Sequence, residues 1–168
     1  MLFIIIKGIS FSFHMCLTLT YYWQEMPEEL TLWTDSDWAS CPKTRRSTSG
    51  GVALHGKHLI RSWSTTQRSI ALSSGEAELY AASKGGARTI ALNRILKELG
   101  CEVKQVRLKL DANATKGALA KVGSGRMKHI ETHELWIQEK VHTGEFVLEK
   151  VPRASNAADM FTHAWKAA

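Results

Sequence analysis

Cysteine is scarce in this 168-residue chain: Cys16, Cys41 and Cys101 stand far apart and are odd in number. No CxxC pair occurs, so the sequence offers neither a disulfide framework nor a zinc ribbon, and a reducing compartment is the simpler expectation. Long apolar runs are also missing. The one candidate, residues 2–6, is broken by Lys7, has no basic residues before it and no small-residue cleavage site after it. It is too short to span a bilayer and reads as a buried strand or helix remnant rather than a signal sequence, so a soluble, non-secreted protein without membrane partners is expected. Internal repeats and low-complexity tracts are absent, which excludes solenoids and tails.

What is present fits one ordinary globular domain: 44% hydrophobic and 23% charged residues, with a formal net charge of +6. The charge favours anionic partners, nucleic acid among them, but is modest. Hydrophobic periodicity predicts a strand over 30–35 and then a Ser/Thr/Gly-rich loop. Two short strands, 51–54 and 58–63, follow as a hairpin around His55-Gly56-Lys57. A long helix is predicted over 73–99 and ends at Gly100. A fourth strand over 106–110 runs into Asp111 and a helix over about 113–121. The Gly-Ser-Gly loop leads to a helix over about 130–142, a fifth strand over 146–151 ended by Pro152, and a last short helix near Asn156. Three strands and then alternating elements imply an α/β fold with a five-stranded mixed sheet: a three-strand antiparallel meander, two parallel strands and flanking helices. Several other α/β folds could also be drawn from this order.

This layout brings acids together. Asp35 closes the first strand and Asp111 the fourth, so parallel neighbours would carry both to the carboxyl edge of the sheet, where open α/β sheets place their sites. On the long helix, Glu78 heads a stripe of Ala82, Gly85, Thr89, Leu92, Leu96 and Leu99. Glu76 heads the more polar stripe of Tyr80, Ser83, Ala87 and Ile90, so Glu78 is expected inward and Glu76 outward. Asp159, in the first turn of the final helix, reads from spacing alone as a capping acid paired with Asn156. Carboxylates converging without a basic partner repel, and bound divalent cations relieve the repulsion. Oxygen ligation selects Mg2+ or Mn2+, and two such ions support phosphodiester cleavage. The bland alternatives are turn or cap residues for the aspartates and a solvated helix acid for Glu78.

The segments TDSDWASCPKTRRSTSGG, SWSTTQ, LSSGEAELYAA, LKLDANAT, RMKHIETHELWIQEKV and VPRASNAADMFT run in this order across about residues 30–162. Together they resemble the ribonuclease H domain of copia-type retrotransposon Pol polyproteins. The resemblance implies an RNase H-like fold and two-metal hydrolysis of the RNA strand of RNA–DNA hybrids during reverse transcription, with no small-molecule cofactor. Asp35, Glu78, Asp111 and Asp159 match the family's four acidic ligands, with Asp37 the less favoured choice in the TDSD motif. For Asp159 this replaces the capping reading. The implied partners are the hybrid, reverse transcriptase and the other Pol domains, and the implied compartment is a cytoplasmic particle or the nucleus. An inactive retroelement remnant that binds nucleic acid is the alternative.

Tyr21-Tyr22-Trp23 is similar to the tail preceding this domain, so residues 1–28 are expected to be a truncated or irregular remnant of the connection from reverse transcriptase, and 29–168 the domain. The chain departs from the family at Gly75 and in its closing MFTHAW, and neither His129 nor His163 clearly matches the histidine some cellular relatives use. Arg45, Arg46, Ser47 and Thr48 suit phosphate oxygens, or form a solvated basic loop. Asn113, Lys128 and His129 are further candidate nucleic-acid contacts, and Lys116, Lys121 and Arg126 could line the second strand. His129 and His133 have a zinc-like spacing but no third ligand. Of the six tryptophans, Trp38 alone is a candidate for base stacking, and the others are expected in the core.

Overall fold

The computed structural model describes residues 4–7, 18–111, 113–120 and 132–163. Lys121, Arg126, Lys128, His129 and the Gly-Ser-Gly loop lie outside them. The strands are β1 (Ile4–Lys7), β2 (Thr18–Tyr21), β3 (Glu29–Asp37), β4 (Thr48–His55), β5 (His58–Thr66), β6 (Gln105–Leu110) and β7 (Phe146–Lys150). The helices are α1 (Ser74–Glu98), α2 (Asn113–Leu119) and α3 (Thr132–His142). None of the described helices is long and apolar enough to cross a membrane.

Strands β3 to β7 form one five-stranded sheet in the order β5-β4-β3-β6-β7. The β3–β4 and β4–β5 pairs are antiparallel, and β3–β6 and β6–β7 are parallel. This is the expected meander joined to a parallel pair. Strands β1 and β2 form a separate antiparallel ribbon. The Tyr21 hydroxyl of β2 donates to the Leu59 carbonyl on β5.

Alternation along β3 and β6 buries Leu30, Leu32 and Thr34 on one side, with Val106, Leu108 and Leu110 beside them. Helix α1 packs on that face. It starts at Ser73, whose hydroxyl accepts from Glu76 N, and stops in a Schellman motif. There Gly100 adopts φ +82° and donates to the Lys97 carbonyl, while Cys101 donates to Leu96.

The two-stripe expectation for α1 fails at Glu76, which is 1% exposed. The helix is covered on two sides. A Cβ at Gly85 would lie 2.8 Å from Thr34 Cγ2 of the sheet, and one at Gly86 would lie 2.9 Å from Ile137 Cδ1 of α3. Glu76 is accommodated by the Leu72 amide at 2.9 Å and the Tyr80 hydroxyl at 2.6 Å, so it is a buried structural acid.

Other differences have equally local causes. Residues 36–37 and 48–50 were expected in a loop for their Ser, Thr and Gly content, but the ladder continues through Ser36↔Ser49 and Asp37↔Thr48. The final helix is replaced by two short 3-10 turns, Arg153–Ser155 and Asp159–Phe161. Trp23 is 77% exposed rather than in the core, whereas Trp63 is 8% exposed.

Gly51 faces Trp63 so closely that an added Cβ would sit 2.1 Å from its ring carbon Cζ2. Overpacking against a rigid ring has no cheap relief. Gly51→Ala is therefore expected to destabilise the domain by about 1–3 kcal/mol or more, read as a lower midpoint in thermal or urea denaturation.

Candidate active site

Parallel pairing sets Trp33 of β3 opposite Lys109 of β6. Asp35 and Asp111, each two residues further on, therefore come level at the carboxyl edge of the sheet. Helix α1, packed on β3, brings Glu78 to the same edge. The three carboxylates each offer an oxygen within 4.8 Å of the others.

Neighbouring backbone and hydroxyl groups hold the two buried members. Ser36 donates to Glu78 Oε1 twice, from its amide at 3.0 Å and its hydroxyl at 2.8 Å. Glu78 Oε2 is buried with no hydrogen-bond partner. The Thr162 hydroxyl donates to Asp35 Oδ2. Thr162 reaches Asp35 because the C-terminal turn seats on Gly50, where a Cβ would meet the Ala158 carbonyl at 2.7 Å and Thr162 Cγ2 at 2.8 Å. Gly50 is also the partner of Asp35 in the ladder.

Electrostatics follow from this packing. Burial pushes Glu78 up to about 8, with the Asp35 charge adding to the effect and the Ser36 hydrogen bonds opposing it. Burial also raises Asp35, against the Thr162 hydrogen bond, and the Asp111 and Asp159 carboxylates raise it further. Among the described residues, no lysine or arginine forms an ion pair with Asp35, Glu78 or Asp111. A partnerless buried oxygen within a group of three repelling carboxylates fits a divalent cation with oxygen ligands.

Asp159 joins Asp35 in a second group, completed by His163, with one ligand atom from each within 4.8 Å. It makes no capping box with Asn156. The Asn156 amide nitrogen donates to the Thr34 carbonyl, and its side-chain oxygen accepts from Ala158 N. Asp35 is thus common to both groups, and the four expected acids converge on one edge. Two neighbours that the sequence reading weighed without placing in the site stand beside it. Asp37 is two residues along β3 from Asp35, and His163 is one helical turn beyond Asp159. The i, i+2 and i, i+4 spacings were the available signals.

The basic loop before β4 divides in two. Arg45 and Arg46 are exposed, and Arg45 adopts φ +57°. Ser47 is fully buried, and its hydroxyl accepts from Ala39 N at 3.0 Å. The Thr48 hydroxyl lies 3.1 Å from that of Ser40. Both hydroxyls serve the loop itself, which leaves the arginines as its outward groups. Asn113 opens α2, and His133 stands on α3. Trp38 is 48% exposed, and its indole nitrogen donates to the Ala71 carbonyl.

A mixed five-stranded sheet with acids gathered at the carboxyl ends of β3 and β6 defines an RNase H-like fold. Solved structures agree. RNase H1 from Halobacterium salinarum covers 79% of this chain and 93% of its own, at 16% identity and a TM-score of 0.53. LC11-RNase H1, isolated from compost, covers 80% and 92% at 17% identity and a TM-score of 0.54. No family model matches the chain. In sequence, the chain is 33% identical over 131 residues to the retrovirus-related Pol polyprotein from transposon TNT 1-94 of Nicotiana tabacum. The match takes in 77% of this chain and 10% of that polyprotein. Together these likenesses support reading the chain as an RNase H-like domain of a copia-type Pol polyprotein.

Proposed function

We propose that this domain hydrolyses the RNA strand of RNA–DNA hybrids, using two divalent ions, Mg2+ or Mn2+, held by Asp35, Glu78, Asp111 and Asp159. The observation that carries this reading is the convergence of Asp35, Glu78 and Asp111 around a buried carboxylate oxygen that has no partner. Bound ions of this kind supply activation of a water and stabilisation of the leaving oxygen in phosphodiester hydrolysis. The protein's part is to fix the ligands. Asp35 is shared by both groups, Ser36 aims Glu78, and Thr162 restrains Asp35. Arg45 and Arg46 suit phosphate oxygens of the bound nucleic acid, a contact that orients without reading sequence. The tobacco relative is a Pol polyprotein, which supports action beside reverse transcriptase and the other Pol domains, in a cytoplasmic particle or the nucleus.

The test is incubation of the whole chain with a strand-labelled hybrid in Mg2+, in Mn2+ and in chelator. Metal-dependent cuts confined to the RNA strand are expected. Hybrid binding without cleavage by the folded protein would replace this reading with that of a nucleic-acid-binding remnant.

A further inference from the structure

At the edge of the carboxylate cluster, His163 stands between two acids. Its Nδ1 lies 3.3 Å from Asp37 Oδ2, and its Nε2 lies 3.4 Å from Asp159 Oδ1. Arg153 approaches the same place, with one guanidinium nitrogen 3.3 Å from His163 Nε2 and its Nε 3.5 Å from Asp159 Oδ1.

The Arg153 contact points to one tautomer of the ring. A guanidinium only donates, so the nitrogen facing Arg153 must accept, and Nε2 carries the lone pair. The ring proton then sits on Nδ1, facing the Asp37 carboxylate. A carboxylate beside the non-ligating nitrogen is the neighbour that metal-binding histidines use to orient the ring. Nε2 is turned toward Asp159, and His163, Asp159 and Asp35 each offer a ligand atom within 4.8 Å. Asp159 Oδ1 is buried and accepts no hydrogen bond. Arg153, whose side chain is 70% exposed, lies beside both Asp159 and His163.

We infer that His163 is a direct ligand of the second cation position, which Asp35, Asp159 and His163 build with Asp37 orienting the imidazole. An imidazole nitrogen added to two carboxylates shifts the preference of this position from Mg2+ toward Mn2+, while the Asp35, Glu78 and Asp111 position, with oxygen donors alone, suits either. The inference rests on the metal-dependent reading above and deepens it, since it makes the two positions chemically unequal.

The experiment is Mn2+ binding to the whole chain, followed by calorimetry and by the electron spin echo of the bound ion, which detects a coordinated 14N nucleus directly. The wild type should bind two Mn2+ and show nitrogen modulation. His163→Gln, with its fold checked by circular dichroism, should lose that modulation and weaken one Mn2+ site by more than about 10-fold, with Mg2+ binding little changed. Asp37→Asn should keep the nitrogen signal and weaken the same site by roughly 10-fold. Bound Mn2+ without nitrogen modulation in the wild type would overturn the inference and leave the carboxylate site standing. So would a signal that persists in folded His163→Gln. Should His163→Gln not fold, His163→Asn makes the same comparison. No Mn2+ binding at all would overturn both readings.

Discussion

Asp35→Asn is expected to lower hybrid cleavage by more than about 100-fold, the upper range seen when groups that merely support metal ligands are removed. The same change should raise the melting temperature of the protein in chelator. Both effects have one cause. Asp35 is 3% exposed and belongs to both groups of candidate ligands, so losing its charge weakens both cation positions at once. Without ions that charge is a liability, because burial and the Asp111 and Asp159 carboxylates all disfavour it. Asparagine keeps the shape and still accepts from Thr162, so the fold has no reason to rearrange. Asp111→Asn should also cut activity by more than about 100-fold, yet stabilise less, because Asp111 is only partly buried and belongs to one group. Single-turnover cleavage and melting curves in chelator, taken on both variants, check the pair. Cleavage at the wild-type rate by folded Asp35→Asn would remove the shared-ligand assignment.

Sequence pattern carried the fold far because the apolar periods of β3 and β6 agree with their burial. Leu30 and Leu32 alternate inward, and Gly100 takes the left-handed turn its position demands. Pattern failed where tertiary contact overrides composition. Thr48, Ser49 and Gly50 look like loop but are strand, since Gly50 must be small to seat the C-terminal turn. Glu76 looks solvated but is enclosed, since α1 is covered by both sheet and α3. The site divides along the same line. Asp35, Glu78 and Asp111 were legible as the ends of predicted elements meeting at one edge. Asp159 read from spacing as a cap, because nothing local says that Asn156 is already bound to Thr34 and Ala158. His163 and Asp37 acquire meaning only when the C-terminal turn lies beside β3, a long-range fact that no short motif encodes.

The metal-free protein is expected to lose stability as pH rises from about 4.5 to about 8, and Glu78→Gln should remove most of that loss. Glu78 has its ordinary value of 4.5 in the unfolded chain and is raised to about 8 in the folded one. Between these values the folded state holds a proton that the unfolded state has released. Raising the pH therefore favours unfolding across this window, and the effect is complete above it. The full span corresponds to on the order of 4 kcal/mol for so buried a group, with Asp35, raised in the same direction, adding to it. Glutamine keeps an oxygen for the two Ser36 donors and carries no charge, so its stability curve should be nearly flat where the wild type falls. Added Mg2+ or Mn2+ should restore the wild type at pH 8, since an ion that binds only the folded state stabilises it, and should do much less for Glu78→Gln. Urea midpoints at intervals between pH 5 and about 8.5, with and without chelator, measure all of this. Parallel wild-type and Glu78→Gln curves in chelator would mean that Glu78 is not the buried, proton-holding acid on which an ion-binding edge depends.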